Sequence, residues 1–164
     1  MKKINNQKGF TLIEVIIYIA LFALLIGGAF IAAYQLIDVS GKLSAKTSTQ
    51  EEGNFVNRKI DWALTGVQSI TAPSIGTPNS GILTVTKYGG NQVDIRLTGT
   101  KIEIKESAGP NVFLPITTDN IVIKASSLNF QYLPTNGPAG VAATFIVVKD
   151  GVDFPFSVTK YIRK

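Results

Sequence analysis

The chain divides by the period of its apolar residues. Val15 to Ala33 carries no charged side chain and is built mostly of Ile, Leu, Ala and Phe. At about 1.5 Å per residue it spans roughly 28 Å as a helix, close to the ~30 Å hydrocarbon core of a bilayer, so a membrane-spanning helix is predicted. Further along, Val56, Ile60, Ala63, Leu64, Val67 and Ile70 recur at helical spacing, with Arg58, Lys59 and Asp61 between them and Trp62 at the border. That is the pattern of a helix packing one stripe on a partner. The connecting stretch Ser40 to Asn54 is polar and holds Gly41 and Gly53, each of which weakens a helix by about 1 kcal/mol relative to Ala. No proline occurs between Met1 and Ala72, so the helix is expected to continue to about Ile70 and to stop at Pro73.

After Pro73 the next dozen residues are rich in Pro, Gly, Ser and Thr, and the pattern then switches to period two. Gly81 to Lys87, Gln92 to Leu97 and Lys101 to Glu106 alternate, and the turns Tyr88-Gly89-Gly90-Asn91 and Thr98-Gly99-Thr100 make them a three-stranded meander. In the last of these Ile102 and Ile104 share one face against mostly charged neighbours, so one face is buried, with the helix stripe as its cover. Further strands are predicted at Ile121 to Lys124, Ser127 to Leu133, Ala142 to Lys149 and Phe154 to Ile162, with Lys149-Asp150-Gly151 as a turn and Pro155 at a strand start or edge. Leu133 to Gly140 reads as a surface loop. The fold class is α+β: one long N-terminal helix whose second half packs against an antiparallel sheet. The expected division is a leader at 1–9, a membrane or filament-core half of the helix at 10–35, a packing half at 36–72 and a β domain at 73–164.

Charge sets the orientation. Lys2, Lys3 and Lys8 precede the span, while Asp38, Lys42 and Lys46 follow it, which favours a cytoplasmic N-terminus and an extracytoplasmic body. Removing the three leader lysines from the sixteen basic residues lowers the formal charge from +5 to about +2, mild by the standards of nucleic-acid patches. No nucleic-acid partner is predicted. The chain has neither cysteine nor histidine, which excludes disulfides, thiolate chemistry, a His-based triad and a typical zinc site.

One charge stands out. In the run KGFTLIEV, Lys8 to Val15, Glu14 lies just inside the uncharged segment, where an ionised side chain is disfavoured by about 3 kcal/mol unless it reaches the interface or a partner. The residues alone leave both readings open: snorkelling to the headgroups, or pairing. A basic leader and an apolar run also describe a secretory signal, but such a signal tolerates an acidic residue poorly and is cut after the apolar run. Here the distinctive residues precede it.

The run resembles the N-terminus of type IV pilins and type II secretion pseudopilins. The resemblance covers Lys8, Gly9, Phe10, Thr11, Leu12, Ile13 and Glu14 with the span behind them, cut site, aromatic, small residue, aliphatic pair and glutamate all in register. It implies cleavage by a membrane-embedded prepilin peptidase after Gly9, N-methylation of Phe10, and Glu14 as the glutamate at the fifth mature position. Physical reasoning supplies roles beside it. Glycine leaves the scissile peptide approachable, and cleavage creates an α-amino group one helical turn from Glu14. In a filament, the Glu14 carboxylate would pair with the Phe10 amine of a neighbour, offsetting two desolvation costs and selecting axial register.

The resemblance therefore implies a non-enzymatic structural subunit with no cofactor. Its partners would be the prepilin peptidase, other pilin or pseudopilin subunits, an inner-membrane assembly platform and membrane lipid. It would be a single-pass inner-membrane protein before assembly and part of a filament afterwards. GFTLIEVIIYIALFALL, Tyr34-Gln35 and RKIDWAL are most similar to J-type minor pseudopilins, which help form the filament tip. Ile31 stands where major pilins often carry a proline. The competing class is a signal-anchored extracytoplasmic binding module, and a third is an anchored hydrolase using a pair such as Ser157 and Lys160, which no nucleophile motif surrounds. Asp150 and Asp153 flank a glycine turn and could offer oxygen ligands to calcium, but EF-hand spacing is absent and a plain Asp-Gly turn is the favoured reading, so no metal site is assigned. Phe130, Tyr132, Phe145, Phe154 and Phe156 lie in strands and read as core.

Overall fold

A computed structural model describes residues 9–75, 80–133 and 138–162. Residues 1–8, which include Lys8 and all of the leader but Gly9, together with 76–79, the middle of the Leu133 to Gly140 loop and the last two residues, lie outside the described residues. The chain forms two compact units, Met1–Ser44 and Ala45–Lys164. Helix α1, Leu12–Ala63, contributes to both.

In the first unit every described side chain except Glu14 is exposed. The helix is long and apolar enough to cross a membrane, and its most apolar stretch buries nothing within the chain. Farther along it, Lys42 and Asp38 form an i, i+4 ion pair of 2.7 Å.

The second unit holds the β structure. Strands β1 (Val67–Ala72), β2 (Ile82–Lys87), β3 (Gln92–Thr98), β4 (Lys101–Glu106) and β5 (Leu114–Pro115) form one antiparallel sheet in chain order. In a second sheet, β8 (Gly140–Lys149) pairs β6 (Val122–Ile123), β7 (Asn129–Leu133) and β9 (Val152–Tyr161). The predicted meander is β2 to β4. Asp150 and Gly151, with φ of 51° and 76°, form the tight turn between β8 and β9, the geometry that two-residue Asp-Gly hairpins adopt. Pro155 lies within β9, which pairs β8 alone, and an edge position is where a strand tolerates a missing N–H.

One apolar cluster joins the layers. Val56, Ile60 and Ala63 of α1 meet Leu83, Val85, Val93, Ile95, Ile102 and Ile104 of the first sheet and Ile123, Phe130, Val141, Ala143, Phe145 and Val147 of the second. The helix is clamped beside this core by three contacts. Thr118 hydrogen-bonds the Glu52 carboxylate, Lys160 pairs with Asp61 at 2.8 Å, and the Phe156 ring lies on Gly53. Gly53 is thus a packing notch: a Cβ there would stand 2.1 Å from the ring.

Three features differ from the sequence expectation. The helix ends at Ala63, not near Ile70, and Val67–Ala72 is strand β1. Thr65 N–H donates to the Trp62 carbonyl at 3.1 Å, Gly66 takes φ of +69°, and the Gly66 carbonyl accepts from Tyr88 N–H at 3.0 Å. A left-handed glycine just past the last turn is a helix stop. Val67 and Ile70 still face the core three residues apart because β1 shifts register against β2 between Val67 and Ser69. An extra residue in a strand turns a period of two into three, which mimics a helix. The third difference is that the body has two sheets instead of one, with β5 added at the edge of the first.

On the outer face of the first sheet, Asp94 accepts from Gln92 Nε2 at 2.9 Å and pairs with Lys105 Nζ at 3.1 Å. Burial raises its pKa, but hydrogen bonds from Gln92, Lys105 and Thr84 together with the Lys105 charge outweigh it and hold the carboxyl below its ordinary value.

Candidate processing and assembly site

The residues singled out at the N-terminus form the first turn of α1 and its cap. Thr11 precedes the first helical residue. Its carbonyl accepts from Glu14 N–H at 3.1 Å and Val15 N–H at 3.2 Å, and its Oγ1 lies 3.4 Å from Glu14 N. Thr11-Leu12-Ile13-Glu14 is the T-x-x-E spacing of a helix start, so Thr11 stands at the cap position of the helix. Glu14 falls in the first turn, where the positive end of the helix dipole favours a carboxylate.

Gly9 and Phe10 are exposed, Phe10 at 75%, and nothing lies within 4 Å of a Cβ built on Gly9. The peptide between them is open to approach. Leu12 and Ile13 also project outward. The structure brings Phe10 and Glu14 together through Tyr18, a residue sequence reasoning did not select. Tyr18 Oη donates to Glu14 Oε1 at 3.1 Å, and the Phe10 and Tyr18 rings meet edge to face at 6.4 Å between centroids. The signal was available: a hydroxyl-bearing aromatic four residues after a carboxylate lies on the same helix face.

The other candidates are occupied or separated. Lys160 pairs with Asp61, and its half-buried side chain alternates with that of exposed Ser157 along β9, so the two do not form a nucleophile pair. Asp153 pairs with Lys124 at 2.5 Å, and Asp150 forms the turn. Phe130 and Phe145 are core, with Phe154 and Phe156 packed against it.

The arrangement therefore defines a class: a long apolar helix with an exposed Gly9-Phe10 peptide just before it and a tyrosine-bonded carboxylate in its first turn, followed by a folded β body. Residues 4–30 match the family model described as the prokaryotic N-terminal methylation motif. That match supports a type IV pilin or pseudopilin subunit anchored by a single pass, processed by prepilin peptidase and assembled with other pilin subunits. Comparison with curated proteins and with solved structures finds no match.

Proposed function

We propose that this chain is a precursor cut between Gly9 and Phe10, N-methylated on Phe10, and assembled as a minor subunit at the tip or initiation point of a type II secretion or type IV pilus-like filament. The observation that carries the reading is the methylation-motif match over residues 4–30, a stretch that contains Gly9, Phe10 and Glu14. Lys8, Thr11, Leu12 and Ile13 complete the segment the peptidase reads. In the filament, Glu14 receives the Phe10 amine of a neighbouring subunit, and a subunit slipped along the axis leaves a charge unpaired. The tip assignment rests on the resemblance of GFTLIEVIIYIALFALL, Tyr34-Gln35 and RKIDWAL to J-type minor pseudopilins.

The test is the N-terminal mass of the full-length chain co-expressed with a prepilin peptidase. The reading expects a mature chain beginning at a methylated Phe10. An intact Met1, or a cut beyond Ala33, would refute it. Glu14→Ala is expected to leave membrane insertion intact and to impair recruitment into filaments. Equal recruitment would remove the register role.

A further inference from the structure

We infer that Tyr18 is a positioning residue for Glu14: its hydroxyl holds the carboxylate of the membrane-inserted subunit and presents the remaining oxygen to the incoming amine. The inference rests on the reading of Glu14 as the acceptor of that amine. Glu14 is the one side chain among the described residues of the first unit that is half-buried and not exposed, and the groups around it explain why. Tyr18 Oη donates to Oε1, the Phe10 ring meets the Tyr18 ring edge to face, and Thr11 fixes the backbone beneath. Among the described residues no donor reaches Oε2.

A carboxylate in an apolar segment that has left the headgroups needs a donor. An O–H to a charged acceptor is among the stronger neutral-donor contacts. Tyrosine suits the position because its ring is compatible with the apolar face while its hydroxyl carries the bond. The bond also removes rotamers of Glu14 that point away from the amine's approach, so part of the ordering cost of pairing is met before the neighbour arrives. Phe10 belongs to the same cluster, and the edge-to-face contact links the placement of the new N-terminus to the tyrosine that orients its acceptor.

Tyr18→Phe isolates the hydroxyl, because it keeps the ring and its contact with Phe10. The full-length chain is expressed in cells carrying the assembly machinery, and its ratio in sheared filaments to membranes is measured. Tyr18→Phe is expected to lower that ratio by up to about tenfold, the scale of ordering one rotamer-rich side chain in advance. In a Glu14→Ala background the same change is expected to do nothing. An equal loss in both backgrounds, or no loss with Glu14 present, overturns the proposal.

A second readout uses the purified chain in lipid nanodiscs with 13C at the tyrosine Cζ. Tyr18→Phe assigns one of the five tyrosine signals. Glu14→Ala is expected to shift that signal and leave Tyr34 unmoved, and an unmoved Tyr18 signal overturns the contact. If Glu14→Ala leaves recruitment unchanged, the register role proposed above is what fails, and the Cζ signal alone decides the Tyr18 inference.

Discussion

Gly53→Ala puts two effects of opposite sign on one methyl group. In an exposed helix interior the change stabilises by about 1 kcal/mol, because alanine is the better helix former. At Gly53 the new Cβ would stand 2.1 Å from the tip of the Phe156 ring, and ordinary contact begins at 3.4 Å. The ring has little room to retreat. Phe156 stacks on Phe145 with centroids 5.3 Å apart and an interplanar angle of 11°, and Phe145 is itself in the buried cluster. Inserting one methyl group into packed surroundings costs about 1–3 kcal/mol, and a gap this short calls for the upper end. The net expectation is a loss of about 2 kcal/mol in the second unit. Trp62, the single tryptophan, lies on the same helix with Lys87 Nζ 3.5 Å from its ring centroid, so its fluorescence follows urea unfolding of the full-length chain in detergent. The decisive comparison is the sign reversal in a Phe156→Ala background, where the clash is gone and Gly53→Ala is expected to stabilise by about 1 kcal/mol. Stabilisation with Phe156 present, or a continued loss after its removal, would refute the packing argument.

Gly66→Ala is expected to cost about 1 kcal/mol or more in the same urea assay, since φ of +69° strains any side chain, and no change would mean that the helix end is not held there. Asp94 sets an acid limit. Its native pKa lies below the ordinary 3.8, so its contribution is fully present above the unfolded value and is lost as pH falls through the native one. Asp94→Asn is expected to flatten that loss below about pH 4, and identical acid profiles would remove Asp94 as its source.

Period and turn chemistry exposed some of this fold in the sequence and concealed the rest. The meander was readable because Gly89, Gly90 and Gly99 sit at turns that require positive φ, while Ile102 and Ile104 alternate with charge. The end of α1 was concealed: Gly66 carried the stop signal, but the shifted register of β1 kept Val67 and Ile70 at the spacing a helix would give. The short strand β5 has two residues, too few for any period. At the N-terminus, Gly9, Phe10 and Glu14 were singled out by resemblance, and the family match covers the segment 4–30 that holds them. Tyr18 was hidden because a tyrosine in an apolar run is indistinguishable by composition from one placed for its ring; only its position four residues beyond Glu14 separates the two.

The same physics explains why one chain contains two kinds of apolar surface. In the second unit the stripe of Val56, Ile60 and Ala63 has found a partner, and the cluster is continuous from helix to both sheets. In the first unit the apolar residues from Leu12 to Val39 stay exposed, far more than a few hundred Å² of contiguous patch that water tolerates on a monomer. Among the described residues nothing covers them, and lipid or other apolar helices are the partners such a surface fits. Those two environments treat the residues differently. Lipid is as apolar as leucine and gives the helix little reason to choose an axial position, whereas a carboxylate in the same surface recognises one place only, the place where a positive charge awaits it. Apolar area therefore supplies adhesion without register. In the proposed filament Glu14 would supply register, with the bond from Tyr18 holding the carboxylate ready before that partner arrives.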